Sequence, residues 1–267
     1  MSQYLLQAKD ICKSYGGENR KGPGVNVLRN ISLNIREKEF ILILGSPGCG
    51  KSTLLKILAG IEPASSGSII LEGRDQGNRI SRSELRSFGY VFQNNNLLQW
   101  RTAEGNLRFV LEVMKLRDKK WDARVDEMLQ IVGLQDYKKV YPHELSGGMR
   151  QRVGIARALV HDPKVLIFDQ PLGALDAITR KMLSYELLNI WKKTQKTIVM
   201  VSNNVDEALL LAHRIIVLSP LPGSIVREFN VDIPYEDRTL AIKEIPRYQE
   251  LRREINELIR SFGGAQK

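Results

Sequence analysis

The sequence predicts an α/β protein with a mainly parallel sheet and an inserted α-helical subdomain. Two observations carry this expectation. Apolar runs of strand length alternate with helix-like segments, the pattern of a parallel sheet covered by helices, and no strand signal occurs between Gln93 and His161. The runs VNVLRNISLNI, FILILG, SIILEG, YVFQ, KVLIFD, TIVMVS and RIIVLS are expected as strands. Several are apolar almost throughout, as strands buried on both faces are. Helices are expected after Gly50, Thr102, Trp121, Ser146, Asp176 and Val205. On this reading residues 1–93 and 162–232 form the core and 94–161 the helical insert. Residues 233–267 form a polar tail ending in a short helix, with Leu251, Ile255, Leu258 and Ile259 on one face.

A chain of 267 residues, 43% of them hydrophobic, holds enough apolar material for one large core or two small ones. Its longest apolar runs fall well short of the roughly 18 residues that a membrane-spanning helix needs. The opening MSQYLLQAKD has neither the basic start nor the apolar stretch of a secretion signal, so the chain is expected in the cytoplasm. Cys12 and Cys49, its two cysteines, fit a reducing compartment. The formal charge of +10 is spread out, with no block of five or six like charges. That favours a solvated basic surface, suited to a protein beneath anionic lipid headgroups, and nucleic acid is not expected as a partner.

The segment LILGSPGCGKST carries the first chemistry. Gly45 is followed by Ser46, Pro47, Gly48 and Cys49, then by Gly50, Lys51, Ser52 and Thr53, between an expected strand and an expected helix. This is the spacing of a phosphate-binding P-loop, and the expected core is accordingly that of a P-loop NTPase. Glycines let backbone N–H groups curl around phosphate oxygens, and the helix N-terminus adds a positive field. Lys51 is expected to reach the β and γ phosphates of ATP, and Ser52 to ligand Mg²⁺. In KVLIFDQPLGALD, Asp169 ends a strand and is expected as the second Mg²⁺ ligand, acting through water.

HELSGGMRQRVGIARAL, with Leu145, Ser146, Gly147 and Gly148, resembles the signature segment of ATP-binding cassette (ABC) transporter ATPases. Other segments match that family in order, over roughly Tyr4 to Ser219. Tyr15 resembles the aromatic that stacks on adenine, and Gln93 the glutamine that links Mg²⁺ to the membrane partner. DQPLGALD resembles the second nucleotide motif and its following loop, and VMVSNNVDEAL the switch segment. The resemblance implies a RecA-like core with an antiparallel β attachment. It also implies a dimer with a second cassette chain, in which Leu145 to Gly148 and Asp176 meet the nucleotide of the opposite subunit. NNNLLQWRTAEGN is similar to the importer group for nitrate, sulfonates and taurine. There the segment from Leu97 to Trp100 would receive a helix of the transmembrane permease, with a separate solute-binding protein acting indirectly. The chain would then lie peripherally at the cytoplasmic face of the cell membrane.

Two positions depart from the family. Gln170 stands where a glutamate usually accepts a proton from the attacking water, and an amide is no base near neutral pH. Asn203 stands where a histidine usually contacts the γ-phosphate; it can donate a hydrogen bond but carries no charge. Slow or absent hydrolysis with retained ATP binding is the expectation. Two accounts compete: a natural asymmetric partner of a competent ATPase, and a substitution at position 170 that traps ATP. Asn203 fits the first more easily, and a native Asn203 with an introduced Gln170 combines both. A soluble cassette acting on DNA or ribosomes is disfavoured, because the chain has neither a long coiled-coil insert nor a duplicated cassette.

Overall fold

The computed structural model describes residues 3–16 and 24–262. The expected tail therefore extends past the described residues at 263–267, and the expected core has 1–2 and 17–23 outside them. The chain forms two compact units, Met1–Leu85 with Thr197–Lys267, and Arg86–Lys196.

In the first unit, β1 (Leu6–Tyr15), β2 (Val25–Ile35), β4 (Ser66–Leu71) and β5 (Arg74–Asp75) make an antiparallel sheet in the order β2-β1-β4-β5. β3 (Phe40–Leu44) lies parallel between β8 (Thr197–Val201) and β9 (Arg214–Leu218), and β10 (Ile225–Asn230) runs antiparallel beside β9. All five residues of β3, β8 and β9 are buried, which is why these strands read as unbroken apolar runs. The helices of this unit are α1 (Lys51–Leu58), α6 (Val205–Leu211) and α7 (Pro246–Ser261).

The second unit holds β6 (Phe88–Val91) parallel to β7 (Val165–Asp169), with α2 (Ala103–Val113), α3 (Lys120–Ile131), α4 (Gly147–Leu159) and α5 (Ala177–Thr194). The long connection between its strands is helical. Thr102, Ser146 and Asp176 cap α2, α4 and α5, each side chain accepting backbone N–H groups that the first turn leaves unpaired. No helix among the described residues is long and apolar enough to cross a membrane.

α7 packs Tyr248, Leu251 and Ile255 inward, whereas Leu258 and Ile259 of the expected stripe are half-buried. Its polar anchor is Asp206 on α6. One carboxylate oxygen accepts from the Tyr248 hydroxyl at 2.8 Å and Arg252 Nε at 2.7 Å, and the other from Lys243 Nζ at 2.6 Å.

A second anchor is Arg238, 3% exposed. Its guanidinium lies 3.9 Å from the Tyr235 ring centroid and donates to the carbonyls of Leu210, Ala212, Val231 and Ile233. Close by, His213 Nδ1 accepts the Phe40 N–H at 2.9 Å and lies 3.0 Å from the Tyr235 hydroxyl.

Two outcomes follow from these anchors. Arg238→Met strands buried carbonyls and is expected to cost about 2–4 kcal/mol in urea unfolding. Burial, and then the Arg238 charge, push the His213 pKa down to about 4. The unfolded chain therefore takes up a proton near pH 6.5 that the native state refuses until about pH 4. The contribution of neutral His213 is complete above pH 6.5 and is lost as pH falls from there to about 4. Unfolding midpoints across that range should show a slope that His213→Gln flattens.

Candidate functional site

The first unit builds the phosphate loop between β3 and α1. Gly48 and Gly50 take φ of 78° and 100°, a region that side-chain-bearing residues avoid. At Gly50 a Cβ would also lie 2.8 Å from Leu28 Cδ2 and 3.0 Å from the Val27 carbonyl oxygen. Lys51 is 4% exposed, and its Nζ donates to the carbonyls of Gly45 at 2.8 Å and Ser46 at 2.9 Å. The ammonium thus holds the loop's own backbone from within. Cys49 Sγ lies 3.8 Å from it, and burial pushes that thiol's pKa up while Lys51 pulls it back. Ser46 and Gly50 are half-buried, Pro47 and Gly48 exposed, and Ser52 and Thr53 half-buried in the first turn of α1.

Tyr15 ends β1 with its side chain 42% exposed. Lys13 Nζ sits 4.9 Å from the ring centroid, bridges to Glu62 at 3.1 Å and donates to the Pro63 carbonyl at 2.7 Å. The Tyr15 hydroxyl has Glu62 and Thr53 as hydrogen-bonding neighbours, which brings the expected base platform to the first turn of the loop's helix. Burial, followed by Glu62, raises its pKa.

Asn203 lies exposed between β8 and α6. The residues around it are tightly held. The Ser202 N–H donates to the Ile43 carbonyl at 3.2 Å, its hydroxyl donates to Glu207, and Asn204 caps α6 by accepting the Glu207 N–H at 3.2 Å.

The second unit carries the other motif residues. Asp169 closes the buried strand β7, and its Oδ2 accepts the Tyr90 hydroxyl at 3.1 Å. Gln170 follows with φ of 46°, and its carbonyl accepts the Gly173 N–H at 3.0 Å. Gln93 lies exposed just past β6. Leu145 is buried, and the exposed Ser146 accepts the Met149 N–H at 3.2 Å, so Gly147 and Gly148 open α4. Asp176 accepts the N–H groups of Ile178 and Thr179 at 3.1 and 3.0 Å. A hydrogen bond from the Thr179 side chain, and then these backbone bonds, hold its carboxyl below the usual range.

Leu97 is core and Leu98 half-buried, but Trp100 is 73% exposed. The backbone on either side of it is held by Asn106, fully buried on α2 and not singled out by the sequence reading. Its amide accepts the Leu98 N–H at 2.8 Å and donates to the carbonyls of Leu98, Arg101 and Thr102. Arg157 of α4 acts similarly on the residues after Gln93, donating to the carbonyls of Asn95 at 2.7 Å and Asn96 at 2.8 Å. Tyr90 was also missed. The signal was available for Asn106 alone, as an amide at an otherwise apolar position of an amphipathic helix.

Comparison with known proteins places this geometry. A family model for the ABC transporter domain matches residues 28–173. The chain is 39% identical over 246 residues to the taurine import ATP-binding protein TauB of Rhizobium johnstonii, covering 91% of this chain and 92% of the relative. It is 41% identical over 231 residues to the aliphatic sulfonates import ATP-binding protein SsuB of Bacillus cereus, covering 86% and 87%. Among solved structures, the dimeric ABC transporter cassette MJ0796 aligns with a TM-score of 0.73 at 31% identity, covering 86% of this chain and all of that one. CbiO1 from Clostridium perfringens, part of the CbiONQ ABC transporter complex, aligns at 0.76 with 28% identity, covering 96% of this chain and all of its own. With a P-loop NTPase fold, a left-handed glycine loop around a buried lysine and relatives near 40% identity along most of its length, the chain belongs to the ABC transporter family of transport-coupled ATPases.

Proposed function

We propose that this chain is the ATP-binding subunit that energises a membrane importer for a small solute of the nitrate, sulfonate or taurine class, and that its own hydrolysis is slow. The observation that carries ATP binding is the loop itself, whose left-handed glycines lead into α1 and whose buried Lys51 ammonium lies against the Gly45 and Ser46 carbonyls. The taurine and aliphatic sulfonate import relatives support the solute class.

In this reading the backbone N–H groups of Ser46 and of Gly48 to Ser52 hold the phosphates and Lys51 exchanges its carbonyl partners for phosphate oxygens. Tyr15 stacks on the base. Ser52 and Asp169, with Gln93, would hold Mg²⁺, Asp169 through water. A hydroxyl, a carboxylate and an amide oxygen are hard donors, few in number, which fits an ion that keeps several waters and otherwise binds substrate phosphates. When bound, Mg²⁺ neutralises charge on the β and γ oxygens.

Gln170 can orient the attacking water but cannot take its proton, and Asn203 can donate to the γ-phosphate without supplying charge. Loss of a positioned general base costs on the order of 10²–10⁴ in rate. Closure needs a second cassette, whose Leu145 to Gly148 and Asp176 equivalents approach this chain's nucleotide. The permease docks at Leu97 to Trp100, where the indole is already outside the fold, and the solute-binding protein acts through the permease. The protein works peripherally at the cytoplasmic face. Gln170 and Asn203 together favour one further reading, that the chain is the non-hydrolysing half of a heterodimeric pair.

ATP turnover of the complex assembled with its permease, for this chain and for Gln170→Glu, tests both. A rise of about 10²-fold or more with Glu places the missing base at position 170. Equal turnover in the two assigns hydrolysis to the other cassette and supports the heterodimer. Lys51→Ala should abolish binding of fluorescent ATP; retained binding would remove the basis of the proposal.

A further inference from the structure

Asp169 does not stand alone at the end of its strand. β6 and β7 pair in parallel, with Tyr90 opposite Ile167, and this register sets the Tyr90 phenol beside the carboxylate two residues further on. The hydroxyl donates to Asp169 Oδ2 at 3.1 Å. The ring is fixed in turn by Phe92, with centroids 4.4 Å apart and planes tilted by 41°. An ionised carboxylate can only accept, so the phenol is the donor of this bond.

One hydrogen bond of this kind does two things to a carboxylate. It fixes rotation about the terminal side-chain torsion, which is otherwise broad in aspartate. It also commits one oxygen, so that the two oxygens are no longer equivalent toward a metal-bound water. Removing a partner of this kind, one step behind a metal-binding group, typically costs on the order of 10–100-fold in metal affinity.

We infer that Tyr90 is a positioning residue for Mg²⁺: its hydroxyl sets the orientation in which the Asp169 carboxylate receives the water shell of the nucleotide-bound metal. This rests on the reading of Asp169 as a Mg²⁺ carboxylate. Tyr90 bears on metal affinity and not on the grip on phosphate, which belongs to the P-loop.

The test uses the full chain and N-methylanthraniloyl-ATP, titrated with Mg²⁺ and, separately, in EDTA. Tyr90→Phe keeps the ring against Phe92 and removes the donor. It should raise the Mg²⁺ concentration at half-saturation about tenfold and leave the metal-free affinity unchanged. Tyr90→Met, which also lacks the donor, should shift the same way. Asp169→Asn tests the premise. If it leaves Mg²⁺ dependence untouched, Asp169 is not a metal group. If it removes that dependence while both Tyr90 variants titrate like the parent, Tyr90 has no positioning role. A loss in EDTA equal to the loss in Mg²⁺ would make Tyr90 a purely structural residue and overturn the inference.

Discussion

A buried cation sets the terms for the phosphate loop. An ammonium as enclosed as that of Lys51 is costly unless its donors are met, and the carbonyls of Gly45 and Ser46 meet them. The loop must therefore wrap around its own lysine, and only a backbone with left-handed positions can do so over so few residues. Gly48 and Gly50 supply them, and at Gly50 the neighbouring Val27 and Leu28 leave no room for a side chain. The frame beneath is equally constrained. β3 is flanked by parallel strands and fully buried, so the chain leaves the sheet at Leu44 in one direction only.

The same physics explains what could be read in the sequence. β3, β7, β8 and β9 were legible because strands covered on both faces need unbroken apolar runs. β1 and β10 were not expected. β1 carries register shifts between Ala8 and Ser14, and each bulge breaks the two-residue alternation that marks a half-buried strand. β10 is mostly exposed, with Phe229 its one buried residue.

At the site, residues that act through their own backbone pattern were legible: the glycine loop, the caps Ser146 and Asp176, and the strand-end Asp169. Tyr90, Asn106 and Arg157 were not, because their work is done on groups that no local spacing reveals. Tyr90 meets a carboxylate 79 positions away, and Arg157 meets carbonyls 61 and 62 positions away. The positive φ of Gln170 was also invisible in sequence. Glutamate and glutamine share the shape that this conformation presents, so the two differ there in proton chemistry and in charge but not in reach.

The Asp206 hub gives the tail a graded response to ionic strength. Arg252 of α7 and Lys243 just before it hold to Asp206 of α6 through exposed or half-exposed charges, Glu254 and Arg247 of α7 pair likewise with Arg227 and Asp232, and such pairs weaken as salt shortens the screening length. The Tyr248 hydroxyl, Leu251 and Ile255 do not depend on charge pairs at the surface. In concentrated electrolyte the C-terminal helix therefore keeps its inner seam while its outer edge loosens. That edge bears on the helix that begins two residues after Asn203.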